Sequence, residues 1–242
     1  MNQYGYLLEV QHIDSEIAIL DRTLGELPEA ATLAEARAAL TTIERRLGDL
    51  EEDLHAEERV QTRLEQDVAT IAEKIARENQ KLMSGSVTNP KELAGIQAEV
   101  KSLEGHKDAM ETSLLEQMEK TDAIRRERDE TAAGAAAARE AEAAADAAHE
   151  KVTGELGSRR DALVAERDAA TANIEPALLA RYDKFRSQFR GVGVGKLQGQ
   201  VCTACRVDLP DLELKRIAAS DELDRCPECR RLLVTDRLLG AK

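Results

Sequence analysis

Apolar residues recur at alternating steps of four and three in the first part of the chain: Tyr6, Val10, Ile13, Ile17, Leu20, Leu24 and Leu27. This is the seam of a helix that packs along a second helix. Pro28 supplies no backbone donor, so a break or kink is expected between Glu26 and Ala30. The pattern then resumes on a seven-residue repeat of Leu33, Leu40, Leu47, Leu54, Val68, Ile75 and Leu82, with Gln61 as the polar member. A parallel row runs through Ala36, Ile43, Leu50, Glu57, Leu64, Ile71 and Glu78.

Ser84-Gly85-Ser86-Val87-Thr88-Asn89-Pro90 ends this arm with turn formers, and Asn89-Pro90 reads as an N-cap followed by Pro at the first helical position. A second seam follows through Leu93, Ile96, Val100, Leu103, Met110, Leu114 and Ile124, interrupted by Lys107, Gln117 and Thr121. It thins into an alanine tract, Thr131 to Ala148, before Val152, Leu156, Leu163 and Ile174. Residues 1–82 and 91–172 are equally long, 82 residues each, which argues for an antiparallel hairpin pairing residues whose numbers sum to about 175. A parallel homodimer is the rival architecture, because heptads alone do not fix orientation. The hairpin would bring Tyr4 and Tyr6 to Tyr182, Phe185 and Phe189, gathering every aromatic residue of the chain into a joint at its base.

Composition agrees with long helices. A third of the residues are charged, Trp is absent, and no apolar run approaches the roughly 18 residues of a membrane span. The net charge of −13 is uneven: residues 1–180 hold 21 Lys/Arg against 38 Asp/Glu, and residues from Arg181 onward hold 13 against 9. An acidic body with a mildly basic end argues against nucleic-acid binding along its whole length but permits it locally at the ribbon. Met1 to Val10 lacks the pattern of a secretory signal, so a cytoplasmic location and no membrane partner are expected.

The cysteines are confined to Cys202-Thr203-Ala204-Cys205 and Cys226-Pro227-Glu228-Cys229, two Cys-x-x-Cys pairs separated by 20 residues. Two knuckles offering two thiolates each suit one tetrahedral zinc ion, and four thiolates leave no open position for water or substrate. The expected cofactor is therefore one structural Zn²⁺ held by Cys202, Cys205, Cys226 and Cys229. Disulfides would require an oxidising compartment, and a redox Cys-x-x-Cys usually occurs singly beside a βαβ pattern. Gly191-Val192-Gly193-Val194-Gly195-Lys196 departs from a phosphate-binding loop, with Arg190 where the first Gly belongs and no Ser or Thr after the lysine. It reads instead as a joint or first strand. Leu209 to Ile217 reads as a short helix and Leu232-Leu233-Val234 as a closing strand.

Leu27-Pro28-Glu29, Thr88-Asn89-Pro90-Lys91-Glu92-Leu93, Arg181-Tyr182, Gly191-Val192-Gly193 and the Cys202 to Leu232 ribbon give the chain a family likeness. It resembles the bacterial C4-type zinc-ribbon proteins that carry a long N-terminal coiled-coil hairpin. One departure is Arg230, where many such ribbons have Gly in a knuckle that favours positive φ. The resemblance implies a regulatory or adaptor role with nucleic-acid binding at the ribbon, in flagellated bacteria a link to flagellar gene expression, and no catalysis.

The fold expected is mainly α: a coiled-coil hairpin over 1–180 with its tip near 84–90, then a linker and small C4 zinc ribbon over 181–242. Arg206, Lys215, Arg216, Arg225, Arg230 and Arg231 are the candidate contacts for RNA or DNA, with Arg181, Lys184, Arg186 and Arg190 preceding them. Thr88, Asn89, Pro90, Lys91 and Glu92 are the candidate contacts for a protein partner. No enzyme is expected: His12, His55, His106 and His149 lie far apart, and the many carboxylates suit solvated coil faces.

Overall fold

The computed structural model describes residues 2–240. In chain order the elements are α1 (Gln3–Gly25), α2 (Pro28–Met83), α3 (Pro90–Thr171), α4 (Pro176–Gln188), β1 (Val194–Gln198), β2 (Val201–Cys202), α5 (Asp211–Ala219), β3 (Asp224–Arg225), β4 (Leu232–Val234) and α6 (Asp236–Leu239). Proline opens α2, α3 and α4, where its fixed φ suits the first turn and its missing N–H leaves nothing unpaired. The Pro28 interruption is therefore a full break, with α1 ending at Gly25 and α2 beginning afresh. Among the described residues no helix is long and apolar enough to cross a membrane.

The chain forms two compact units, one comprising residues up to Ala31 and from Ala147 onward, the other Thr32–Asp146. In the second unit α2 and the first part of α3 run antiparallel. Leu33, Leu50, Leu54, Ile71, Val100 and Ala135 are buried along the seam. Each of the Leu, Ile and Val side chains contributes on the order of 1.5–3 kcal/mol when fully buried, and the Ala135 methyl less. Ion pairs flank the seam: Arg37 with Glu142 and Asp146, Glu44 with Arg139, Arg46 with Glu127, and Glu58 with Arg125. Numbers of these partners sum to between 173 for Arg46 with Glu127 and 183 for Glu44 with Arg139, bracketing the expected register. Intrachain pairing of this kind makes the hairpin, not a parallel dimer, the source of the heptads.

A polar layer interrupts the seam where Gln117 and Thr121 break the sequence pattern. Gln117 Nε2 donates to the Glu57 carboxylate at 2.7 Å and to its backbone carbonyl at 3.1 Å, while Lys120 pairs with the same carboxylate at 2.6 Å. Thr121 is fully buried and donates to the Gln117 carbonyl. Such a layer fixes one register at some expense of stability. At the tip the Asn89 side chain accepts the Lys91 N–H at 3.0 Å, capping α3.

In the first unit α1, the end of α3 and α4 share one core with the small sheet. Leu7 and Val10 of α1, Ala170 and Ile174, Tyr182 and Phe185 of α4, and Val194, Leu232 and Val234 of the strands are its buried members. Tyr4, Tyr6 and Phe189 pack against it, so all five aromatic residues of the chain meet there. The sheet order is β2-β1-β4-β3, with β1 and β4 parallel and the outer pairs antiparallel. Because side chains alternate along a strand, Leu232 and Val234 face the helical core while Leu233 enters a second cluster with Leu197, Leu209, Ile217, Cys202 and Cys226.

Candidate metal centre and its supports

Each Cys-x-x-Cys pair closes a tight turn of the same form. The Arg206 N–H donates to the Cys202 carbonyl at 2.7 Å, and the Arg230 N–H donates to the Cys226 carbonyl at 2.8 Å. Cys202 N–H is answered by the Val207 carbonyl, and Cys226 N–H by the Arg231 carbonyl, at 3.1 and 2.9 Å. Both turns place the residue after the second cysteine in the left-handed region, Arg206 at φ 58° and Arg230 at φ 62°. The expectation that Arg230 sits where a knuckle favours positive φ holds, and the first knuckle repeats it.

The two turns converge, with the four Sγ atoms within 4.8 Å of one another and Cys205 Sγ 4.0 Å from Cys226 Sγ. A tetrahedral ion with Zn–S bonds of about 2.3 Å requires sulfurs about 3.8 Å apart, so the donor set fits. Cys202 and Cys226 are fully buried, Cys205 and Cys229 half-buried. Burial pushes the Cys202 and Cys226 thiols above their ordinary value, against backbone N–H groups of Ala204 and Cys205 aimed at the first sulfur and of Glu228 and Cys229 at the second. At Cys229 burial is outweighed, chiefly by the Arg231 N–H, and the thiol lies below its ordinary value. Four sulfurs crowded in an apolar pocket under inward N–H dipoles are a donor set for one cation. The site binds one structural zinc ion through these four cysteines.

Close backbone packing supports the first knuckle. A Cβ on Gly195 would lie 2.7 Å from the Ala204 Cβ and 2.9 Å from the Ala204 nitrogen. Gly195→Ala is therefore expected to cost about 1–3 kcal/mol in urea denaturation, since backbone must move to admit it. Conversely, Arg230→Gly is expected to stabilise by roughly 0.5–1 kcal/mol in the same measurement. Relief of the left-handed strain exceeds the added freedom of the unfolded chain.

The six candidate cations sort by their partners. Arg216 pairs with Glu213 at 3.0 Å and Asp224 at 2.6 Å. Arg231 donates to the Val192 carbonyl at 2.9 Å and lies 5.1 Å from the Phe189 ring centroid. Arg225 covers Phe185 at 4.7 Å. Arg206, Lys215 and Arg230 are exposed and form no ion pair among the described residues. Of the preceding four, Arg181 donates to the Leu223 carbonyl and Arg186 lies 3.2 Å from Asp14, so they support the joint. At the tip, Thr88 to Glu92 are all exposed, and Met83 beside them is 88 % exposed.

Two buried polar residues on α1 were not among the sequence candidates. The Gln11 side-chain oxygen accepts the Gly193 N–H at 2.6 Å and the Val194 N–H at 3.3 Å, while its nitrogen donates to the Gly191 carbonyl at 3.1 Å. Asp14, only 1 % exposed, accepts from Arg167 at 2.7 Å and from the Tyr182 hydroxyl at 2.8 Å. Burial, with the Asp14 carboxylate beside it, pushes the Tyr182 phenol far above its ordinary value, so the hydroxyl stays protonated and donates. The sequence signal is faint: Asp14 occupies an apolar-row position between Leu7, Val10 and Ile17.

Comparison with known proteins follows the same two parts. Residues 10–190 match the CT398-like coiled coil hairpin domain, and residues 201–233 match the C4-type zinc ribbon domain, both typically non-enzymatic. The uncharacterized protein Rv2229c of Mycobacterium tuberculosis is 31 % identical over 237 residues, spanning 96 % of this chain and 95 % of the relative. The uncharacterized protein ML1638 of Mycobacterium leprae is 27 % identical over 93 % of this chain and 97 % of its own length. A solved Mycobacterium smegmatis protein superposes with TM-score 0.80 at 28 % identity, covering 96 % of this chain and 97 % of that one. CT398 of Chlamydia trachomatis shares the fold at TM-score 0.65 and 17 % identity, over 96 % and 98 % of the two chains. With its hairpin and four-cysteine ribbon in that order, the chain belongs to the CT398-like coiled-coil hairpin family and carries a C4-type zinc ribbon.

Proposed function

We propose that the protein is a non-enzymatic cytoplasmic adaptor or regulator whose zinc-held ribbon contacts the phosphates of RNA or DNA through Arg206, Lys215 and Arg230. The observation that carries this reading is the pair of knuckle arginines: both sit in left-handed backbone, both are exposed, and neither has an ion-pair partner among the described residues. Backbone strain of about 1 kcal/mol or more per residue is tolerated where a side chain is used. All five aromatic residues lie in or against the core of the joint, so none is left as a platform for unstacked bases. Contacts restricted to phosphates follow, with low sequence preference and strong salt dependence. A reducing cytoplasm keeps four thiols available to zinc.

Anisotropy with labelled RNA and DNA at two salt concentrations tests the reading. Arg206→Gly combined with Arg230→Gly removes both charges while relieving the strain, and is expected to abolish binding at the higher salt. Arg216→Ala, whose guanidinium already has two carboxylate partners, is expected to leave binding nearly unchanged. Absence of binding at both salts overturns it.

A second reading, a protein scaffold acting through the hairpin tip, is supported by the exposed Met83 beside a turn whose Asn89 cap fixes the direction of Lys91. A partner captured independently of salt, and lost on Met83→Ser with Lys91→Glu, favours this reading.

A further inference from the structure

Strand β4, which lies beside the metal ligands, is buried on both faces. Leu232, Leu233 and Val234 of β4 are each fully buried, the first and third against α1, α4 and the end of α3, the middle one against the cysteine cluster. One three-residue strand thus belongs to two cores, and its position is set by both. Beside it, Gln11 of α1 receives the N–H groups of Gly193 and Val194, the segment that leads into β1. Arg231, two residues after the last ligand, reaches back to the Val192 and Phe189 carbonyls.

We propose that the zinc ion is the latch holding α1 in its docked position, so that metal loss releases the α1 face built on Leu7, Val10, Gln11 and Asp14. The ribbon core has few other means of support. Its strands are two to five residues long, and its apolar cluster includes the ligands themselves. Without the ion, the knuckles lose what joins them, β4 loses one of its two supporting faces, and the Gly193 and Val194 donors lose their fixed direction toward Gln11. Coupling of two sites is reciprocal: if zinc holds α1, then α1 must strengthen zinc binding although it supplies no ligand.

Hydrogen exchange on the full chain, with zinc and after removal by a chelator, tests the proposal together with zinc competition against a chromophoric chelator. Chelation is expected to raise exchange over 5–15 and 178–188 along with 194–234, by about tenfold or more, and to leave 40–75 unchanged. Gln11→Ala is expected to weaken zinc binding about tenfold, within the usual range of coupled sites. Should that variant fail to fold, Tyr182→Phe removes one hydroxyl, keeps the ring and is expected to weaken zinc about threefold. Increased exchange confined to 194–234, or zinc affinity unchanged in the folded variant, overturns the proposal.

Discussion

Cys226→Ser is expected to abolish stoichiometric zinc binding and unfold the ribbon, while far-UV circular dichroism retains most of its helical signal. Structural zinc sites contribute on the order of 10 kcal/mol or more of apparent binding free energy at neutral pH, which becomes folding free energy when no site exists in the unfolded chain. A core of six buried residues, two of them ligands, does not replace that. The helicity survives because α2 and α3 are 56 and 82 residues long, against 9 and 4 for α5 and α6. Zinc per chain by mass spectrometry and ellipticity at 222 nm check both halves. Loss of the entire helical signal would overturn it. Acid gives the same result without a mutation. Burial raises the Cys202 and Cys226 thiols, so without metal both carry protons at neutral pH, and zinc must displace them. Affinity therefore climbs with rising pH, and zinc is lost as pH falls and protons compete.

The second large effect is expected at Asp14→Ala, about 3–5 kcal/mol, the usual result of removing one partner from a buried ion pair. Arg167 and Arg186 are partly exposed and regain some hydration, but the Tyr182 hydroxyl is fully buried and loses its acceptor. Asp14→Asn keeps an acceptor for that hydroxyl and is expected to cost less than Asp14→Ala. Urea unfolding followed by Tyr fluorescence reports this joint directly, because Tyr4, Tyr6 and Tyr182 all lie in it. Equal effects of the Ala and Asn variants would show that the hydroxyl contact contributes little.

Most of the architecture is legible in the order of the residues. Heptads with a Ser-Gly-Ser-Val-Thr-Asn-Pro interruption between arms of equal length point to two helices and a turn, although the repeat itself would equally suit a parallel dimer. Four cysteines in two equal knuckles dictate the metal, because tetrahedral thiolate geometry tolerates few spacings. The aromatic inventory locates the joint, since five large rings in a chain so poor in them must be buried somewhere. What is not legible there is polar. Gln11 looks like any solvent-facing residue of a charged helix, Asp14 differs only by its place in the apolar row, and nothing local announces that their partners across the joint lie 153 to 183 residues away. The six ribbon cations likewise look alike in sequence. Only three-dimensional neighbours, a ring under Arg225 and two carbonyls beside Arg231, separate those that brace the fold from those that face solvent.

The side chain of Asn2 donates to the Leu238 carbonyl at 2.6 Å across 236 residues of chain. Alongside it, Leu7 and Val10 are covered by strand residues near position 232. During synthesis α1 is therefore made more than 200 residues before the strand and helix that cover it. At bacterial elongation rates of about 5–20 residues per second, its apolar face waits on the order of tens of seconds for β4 and α6 to emerge. A ribosome that stalls between the end of α3 and the last knuckle leaves a chain with finished arms and an uncovered α1. The apolar face of α1 thus stays uncovered until β4 and α6 have been made.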